Sequence, residues 1–234
     1  MSSGTVPGFD TLRPLEQATP PSGWRFCRTG ENLILVFALV AMLLLPVVEI
    51  LMRMIFKTGI SGSSAIVQHL TLIVGMLGGA IAARDGRLLA LSPVQALLKG
   101  RAKVAARIFS GGFGAAISFF LFLASLQYVL ALKPLGKTLV YGIPVWVIQL
   151  FLPLGFGLVA LRLVQHASEK WRGRSLALVL AALVAGLAIW APGTPEHWMV
   201  PALVALALAT VLGAPVFTAL GGAALILFWG HELP

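Results

Sequence analysis

The chain is poor in the residues that build catalytic and metal sites. Its only cysteine is Cys27, so no disulfide can form within the chain and a cysteine-rich metal site is excluded. The four histidines lie far apart in the sequence, and the eight acidic residues are spread thinly. The sequence contains no GxSxG, HExxH or Walker phosphate-binding motif. We therefore expect no catalytic residue, no metal ion and no cofactor.

Charged residues of both signs are scarce as well. They make up 11% of the chain and the mean hydropathy is +0.95, which leaves no room for a separate soluble domain. Six apolar stretches lie at residues 33–52, 64–83, 108–132, 143–165, 176–191 and 198–229. A helix of about 20 residues crosses a hydrocarbon core of roughly 30 Å. The sequence predicts an all-α integral membrane protein with about six transmembrane helices.

The basic residues fall mostly in alternate gaps between these stretches. Thirteen of the 17 lie before the first stretch, in the second and fourth gaps or, for Arg162, at the adjoining end of the fourth stretch, whereas the first and third gaps hold two each and the fifth none. Lys and Arg accumulate on the cytoplasmic side of membrane proteins, so we expect both termini to be cytoplasmic. A nucleic-acid-binding protein would gather its charges on one folded face. Because they are scattered over short loops here, we expect no nucleic-acid partner.

Two segments outside the spans have their own signals. Residues 1–30 are rich in Pro, Gly and Ser and lack an apolar run, which predicts a disordered cytoplasmic tail without a cleaved signal peptide. Residues 88–98 are apolar but too short to cross, and a basic stretch from Lys99 to Lys103 follows. This pattern predicts a short amphipathic helix at the cytoplasmic interface, with a plain loop as the alternative. We expect a tail at 1–30, a four-helix membrane domain at 31–170 and two further helices at 171–234.

Charged side chains inside spans need a reason, because a charge at mid-bilayer costs about 3 kcal/mol. Glu49 lies four residues before Arg53, which predicts an ion pair on one helical face near the outer interface. The pair either serves only to neutralise its two charges or docks on a partner helix. At the end of the second span, Arg84 beside Asp85 predicts a local ion pair at the headgroups.

Small residues at helical spacing favour close helix packing. Gly75 and Gly79 form a GxxxG step in the second span, and Gly111 with Ala115 forms a similar step in the third. Such residues let two backbones approach in lipid, where the hydrophobic drive between helices is missing. The contact is either within the chain or with another subunit. We find no internal repeat and no row of polar groups that would outline an ion path.

The fourth span carries the most specific string. Residues 138–146 read Thr-Leu-Val-Tyr-Gly-Ile-Pro-Val-Trp, with Pro144 at the first helical turn and Trp146 at the aromatic belt. Pro153 follows in a Pro-Leu-Gly step. Here the chain resembles the small membrane subunit of the tripartite ATP-independent periplasmic (TRAP) transporters, in which an Ile-Pro-aromatic helix start is followed by a Pro-Leu/Ile-Gly step. The resemblance covers residues 31–165.

The C-terminal segment resembles a different component. Residues 212–216 read Leu-Gly-Ala-Pro-Val, and the stretch around them is similar to the opening helix of the large TRAP membrane subunit. The span at 176–191 would then be the extra connecting helix found where the two subunits are fused. The chain is either the leading part of a fused membrane component or a small subunit extended by two helices.

The resemblance implies a role without chemistry of its own. The small subunit would be a scaffold in the bacterial inner membrane for a sodium-driven large subunit, which imports an organic acid delivered by a periplasmic binding protein. We expect it to contact the large subunit, separate or fused, the binding protein and membrane lipids. The candidate interface residues for the large subunit are Glu49, Arg53, Gly75, Gly79, Pro144, Trp146 and Pro153. The candidate docking residues for the binding protein are Lys57, Lys133 and Lys137, with solvated loop charges as the alternative.

Two other functions remain open at this point. One is a membrane scaffold or assembly protein unrelated to transport. The other is an integral-membrane enzyme that uses Glu49 and His69. A large-subunit partner would favour transport over both.

Overall fold

A computed structural model describes residues 22–86, 88, 98–139, 142–168, 171–190 and 195–230. The helices in these residues are α1 Ser22–Phe56, α2 Ser63–Arg84, α3 Gly100–Leu132, α4 Val145–Gln149, α5 Phe151–Ala167, α6 Trp171–Trp190, α7 Pro195–Val211 and α8 Val216–Gly230. A 3-10 turn at Lys133–Leu135 follows α3, and an isolated bridge joins Thr138 to Pro144. The described residues form no strand, so the predicted all-α class is confirmed for them.

Four segments are long and apolar enough to cross a membrane. They are Arg28–Phe56, Ser63–Arg84, Gly100–Leu135 and Val145–Ala167, and they contain all or nearly all of the first four predicted spans. Helices suit this setting because every backbone N–H and C=O in their interior is paired within the segment. The fourth segment consists of α4 and α5, which meet at Leu150. The fifth predicted span lies almost entirely within α6.

Helix α3 is at the centre of the bundle. Its residues 110–118 are all buried, which requires neighbours on every side. Most of these residues are Gly, Ala or Ser, so other backbones can approach closely. A Cβ at Gly111 would lie 2.9 Å from the Ala167 Cβ of α5, and one at Gly112 would lie 2.9 Å from the Ala177 carbonyl oxygen of α6.

The sixth predicted span is wrong as a single helix. Its residues form α7 and α8, and the chain turns between them. The break has a local cause: Gly213 adopts a left-handed φ of 103°, and Pro215 cannot donate to a helical carbonyl. The Ala214 N–H donates to the Ala209 carbonyl at 2.8 Å and closes the end of α7. The two helices pack on each other, with Leu206 of α7 beside Gly222 of α8.

The direction of α8 follows from its contacts with α3. Pro215 and Thr218 lie against Gly114, whereas Gly221 lies against Leu121, further along α3. The two helices therefore run parallel, and α8 ends at the end of the bundle where α3 ends. Helix α1 begins at the opposite end. The C-terminal run therefore forms two helices instead of one, and the prediction that both termini are cytoplasmic stays a prediction.

Two further predictions concern the segments flanking the spans. Helix α1 begins at Ser22, so residues 22–30 are helical and the predicted disordered tail is wrong for them; residues 1–21 lie outside the described part. The predicted interfacial helix at 88–98 also falls there, apart from Leu88 and Leu98. The predicted domain boundaries stay predictions.

Candidate functional site

The predicted ion pair of α1 is present near the end of that helix. The Arg53 Nη2 atom lies 2.8 Å from Oε1 of Glu49, and the Arg53 Nε atom donates to the same oxygen at 3.1 Å. Ser63, at the start of α2, hydrogen-bonds to the Glu49 carboxylate. The Arg53 guanidinium covers Gly59, where an added Cβ would lie 2.9 Å from Nε. The pair therefore ties α1 to the connection that leads into α2, and its contact with a partner stays a prediction.

The glycines of the α2 GxxxG step face open space. An added Cβ at Gly75, Gly78 or Gly79 would meet no atom within 4 Å. Met76 between them points the other way, since a Cβ at Gly155 of α5 would lie 2.9 Å from the Met76 Cβ. The alternative that the GxxxG step serves packing within the chain is therefore wrong for the described residues.

The two prolines and the tryptophan of the fourth span differ in exposure. Pro144 directly precedes α4 with a φ of −64°, so its fixed ring starts the helix as expected. Trp146 is half-buried, and the Lys133 Nζ atom lies 5.8 Å from its ring centroid, a cation–π contact. Pro153 is buried in the first turn of α5. Pro153 therefore packs within the chain, and we no longer propose it as a partner contact.

An ion network at the other end of the bundle was not foreseen. The Glu31 carboxylate of α1 accepts from Arg84 of α2 at 2.9 Å and from Arg162 of α5 at 2.5 Å. Arg162 is 9% exposed and also donates to the Ala80 carbonyl at 2.6 Å. The expected pair of Arg84 with Asp85 is present at 3.1 Å. The network joins three helices where they begin or end.

A sequence signal for this network existed. Glu31 is the one acidic residue directly before the first apolar stretch, and Arg84 and Arg162 close two other spans. Glu31 directly follows the segment predicted as a disordered tail, so its pairing with distant arginines was not predicted. We call this end of the bundle, where α1, α3 and α6 begin and α2 and α5 end, the basic end, and the opposite one the far end.

The sequence between the second half of α1 and the start of α6 matches a known family. The model of the DctQ component of the tripartite ATP-independent periplasmic transporters matches residues 42–173. The chain belongs to this family. The DctQ family consists of transporter components and is not an enzyme family. The partners of the chain are therefore other components of a TRAP system. The family also implies a multi-pass protein of the inner membrane. No curated protein matches the chain.

The matched residues do not include every part of the structure. They contain the Glu49 ion pair, the open glycines and the string around Pro144, whereas Glu31 and the α7–α8 hairpin lie outside. The resemblance to a TRAP small subunit is thus confirmed, and the resemblance of the C-terminal segment to the large subunit stays a prediction.

The three lysines expected to dock a binding protein are all exposed at the far end of this DctQ chain. Lys57 follows α1 and has a left-handed φ of 53°. Lys133 opens the 3-10 turn after α3, and Lys137 lies just beyond that turn. The structure thus brings them to one end of the bundle, although Lys133 also contacts Trp146. Their docking role stays a prediction.

Proposed function

We propose that this chain is the small scaffold subunit, or the small-subunit part of a fused membrane component, of a sodium-driven TRAP transporter. The transporter would import an organic acid that a periplasmic binding protein delivers. The observation that carries the proposal is the open glycine face of α2, formed by Gly75, Gly78 and Gly79. Glycines at this spacing stabilise a helix pair only when a second helix lies against them. We assign the large subunit to that face.

The polar groups of the bundle support a bracing role. Among the described residues, every buried side-chain nitrogen or oxygen has a hydrogen-bond partner. Arg162, a buried cation, is held by Glu31 and by the Ala80 carbonyl. A solute path needs polar groups that are free to exchange partners. The moving part is therefore assigned to the large subunit, and this chain holds it in place.

The C-terminal hairpin suits a chain that leads into a large subunit. Its turn sits against Gly114 of α3, and its second helix packs Gly222 against Ile117. The buried cluster of Phe113, Ile117, Leu206, Ala209 and Ala214 joins the hairpin to α3. We propose that this cluster is the seam between the small-subunit part and the first helices of the transport part.

The proposal also assigns each end of the helix bundle to one side of the membrane. The basic end carries most of the Lys and Arg, so we place it in the cytoplasm. The far end, with Lys57, Lys133 and Lys137, then faces the periplasm. These charges would complement an acidic patch on the binding protein and speed its docking.

Reconstitution in liposomes tests the scaffold role. The chain is inserted alone, or together with a large subunit, and uptake of a radiolabelled organic acid is followed with binding protein and an inward sodium gradient. We expect no uptake from the chain alone and uptake only with all components. Sodium-dependent uptake by the chain alone would refute the proposal, and so would a complete complex whose uptake is the same without this chain.

A charge reversal tests the docking surface. Lys133→Glu with Lys137→Glu should lower uptake at low binding-protein concentration and leave the amount of membrane protein unchanged. The matched control is Arg101→Glu with Lys103→Glu, because these exposed residues lie at the basic end. Equal uptake by both double variants would end the docking assignment and leave the scaffold role standing.

A further inference from the structure

Two arginines from different helices converge on the end of α5. The Arg107 Nη2 atom of α3 donates to the His166 carbonyl at 3.1 Å. The Arg174 Nε atom of α6 donates to the Ser168 carbonyl, also at 3.1 Å. Carbonyls at a helix C-terminus lack partners within the helix, so these bonds fix both guanidinium groups beside the last turn of α5.

The backbone around these arginines is tightly packed. A Cβ at Gly111 would lie 2.9 Å from Ala167, the last residue of α5. A Cβ at Gly173 would overlap the Ser168 hydroxyl group and lie 3.5 Å from Ile108. The corner between the end of α5 and the start of α6 is therefore closely packed, and backbone hydrogen bonds hold the two guanidinium groups beside it.

Positive charge at this corner has no described counter-charge. Among the described residues, Arg107 and Arg174 each donate to one backbone carbonyl, although a guanidinium has five donors. Arg172 in the first turn of α6 is exposed, and none of the three forms an ion pair with a described residue. Between Asp85 and Glu196 the sequence contains a single acidic residue, Glu169, which lies outside the described part. Guanidinium groups that have no described counter-charge favour the binding of an anion.

The corner lies at the depth of lipid headgroups. Helix α3 has 33 residues, about 50 Å, and the hydrocarbon core is only about 30 Å thick. Its apolar run begins at Ile108, which contacts Gly173 of α6, so Arg107 and Arg172 stand at the boundary of the core. Trp171 beside them is 81% exposed, as expected for a tryptophan among headgroups.

We propose that this corner binds an anionic phospholipid of the cytoplasmic leaflet. Its phosphate would lie among the guanidinium groups of Arg107, Arg172 and Arg174, each of which can donate two parallel N–H bonds to phosphate oxygens. Trp171 would lie against the glycerol region. A zwitterionic lipid carries no net charge to neutralise the corner, so the site prefers phosphatidylglycerol over phosphatidylcholine.

Native mass spectrometry of the full purified chain tests this site. The chain is titrated in detergent with phosphatidylglycerol or with phosphatidylcholine, and the bound fraction is counted. We expect phosphatidylglycerol to bind more tightly. Each basic residue near an anionic surface contributes about fivefold in affinity. Arg172→Gln should therefore weaken phosphatidylglycerol binding about fivefold, and Arg107→Gln with Arg174→Gln about 25-fold.

Controls separate the site from general charge and from folding. Lys133→Gln with Lys137→Gln removes the same charge at the far end and should leave binding unchanged. Arg107→Lys with Arg174→Lys keeps the charge and should recover much of the binding. Arg172 is exposed and forms no ion pair with a described residue, so Arg172→Gln should leave the packing of α5 and α6 unchanged.

Three results would overturn the proposal. The first is equal binding of the two lipids, or equal loss in the far-end control. The second is displacement of the lipid by millimolar inorganic phosphate, which would identify a site for the free ion. The third is a large gain in binding on Glu169→Gln, which would show that Glu169 already neutralises these arginines.

Discussion

Helices α2 and α3 both carry small residues at four-residue spacing, and they use them in opposite ways. In α3, a Cβ at Gly111 or Gly112 would lie 2.9 Å from a neighbouring helix. In α2, a Cβ at Gly75 or Gly79 would meet nothing within 4 Å. The same sequence pattern thus marks a contact made within the chain and a contact left open. The pattern predicts that helices approach there but does not say which ones.

The surroundings of the two helices explain the difference. Helix α3 is enclosed by α5, α6 and the α7–α8 hairpin, whereas α2 packs mainly on α1 and α5. In lipid, a small-residue face becomes stable only when another backbone fills it, because lipid chains follow its shape poorly. We therefore infer that the small residues of α3 have their helix contacts within the chain, whereas those of α2 form a contact with another subunit.

The largest effect is expected where α2 is fixed to α5. Arg162→Leu removes the donor to the Ala80 carbonyl and leaves Glu31 with Arg84 alone. Breaking a buried ion pair from one side costs about 3 kcal/mol, so the variant should unfold at a clearly lower temperature in detergent. The loss of the monodisperse peak on heating measures it. Arg101→Leu, at an exposed position, is the control, and equal midpoints for both would show that the network does not hold α2.

The second-largest effect is expected at Gly112, where α3 packs against α6. Gly112→Leu pushes a side chain into the Ala177 carbonyl and into Leu180 of α6. Overpacking a filled interior costs about 1–3 kcal/mol, so the thermal midpoint should fall. Gly186→Leu is the matched control, because a Cβ at Gly186 would meet no atom within 4 Å. A variant Gly112→Leu as stable as Gly186→Leu would mean that α3 and α6 are not packed as described.

The helices were predictable because their signal is local. Apolar runs near the length of a bilayer crossing define α1, α2 and α3 whatever else the chain does. The break between α7 and α8 was not predictable from a local signal, because Gly213 and Pro215 are each tolerated inside membrane helices. The chain turns back there because this turn also packs against Gly114 of α3. A pattern of hydropathy does not contain that packing.

The candidate site was predictable in part for a related reason. The Glu49–Arg53 pair depends on a spacing of four along one helix, and it is present. The Glu31 network depends on side chains 53 and 131 positions apart, which no local pattern reports. The open direction of Gly75 and Gly79 likewise depends on where α1 and α5 stand around α2.

A smaller effect is expected on the closed side of α2 itself. Gly155→Ala places a methyl group 2.5 Å from the Met76 Cε atom and 2.9 Å from its Cβ. The thioether end can move aside, but the Cβ cannot without shifting α2. We expect a loss of about 1 kcal/mol, seen as a modest fall in the thermal midpoint. Gly155→Ala should cost less in a Met76→Gly background, which lacks that Cβ, and an equal loss in both backgrounds would place the strain elsewhere.

The smallest effect on the isolated chain, and the most informative for its role, is expected on the open side of α2. Gly79→Leu adds a side chain where no described atom lies within 4 Å, so the thermal midpoint of the chain alone should stay unchanged. Co-purification with a large subunit should fail, since a leucine keeps a second backbone away from this face. Gly186→Leu on α6 is the control and should keep the complex. A complex that survives Gly79→Leu would move the contact to another face and leave α2 exposed to lipid.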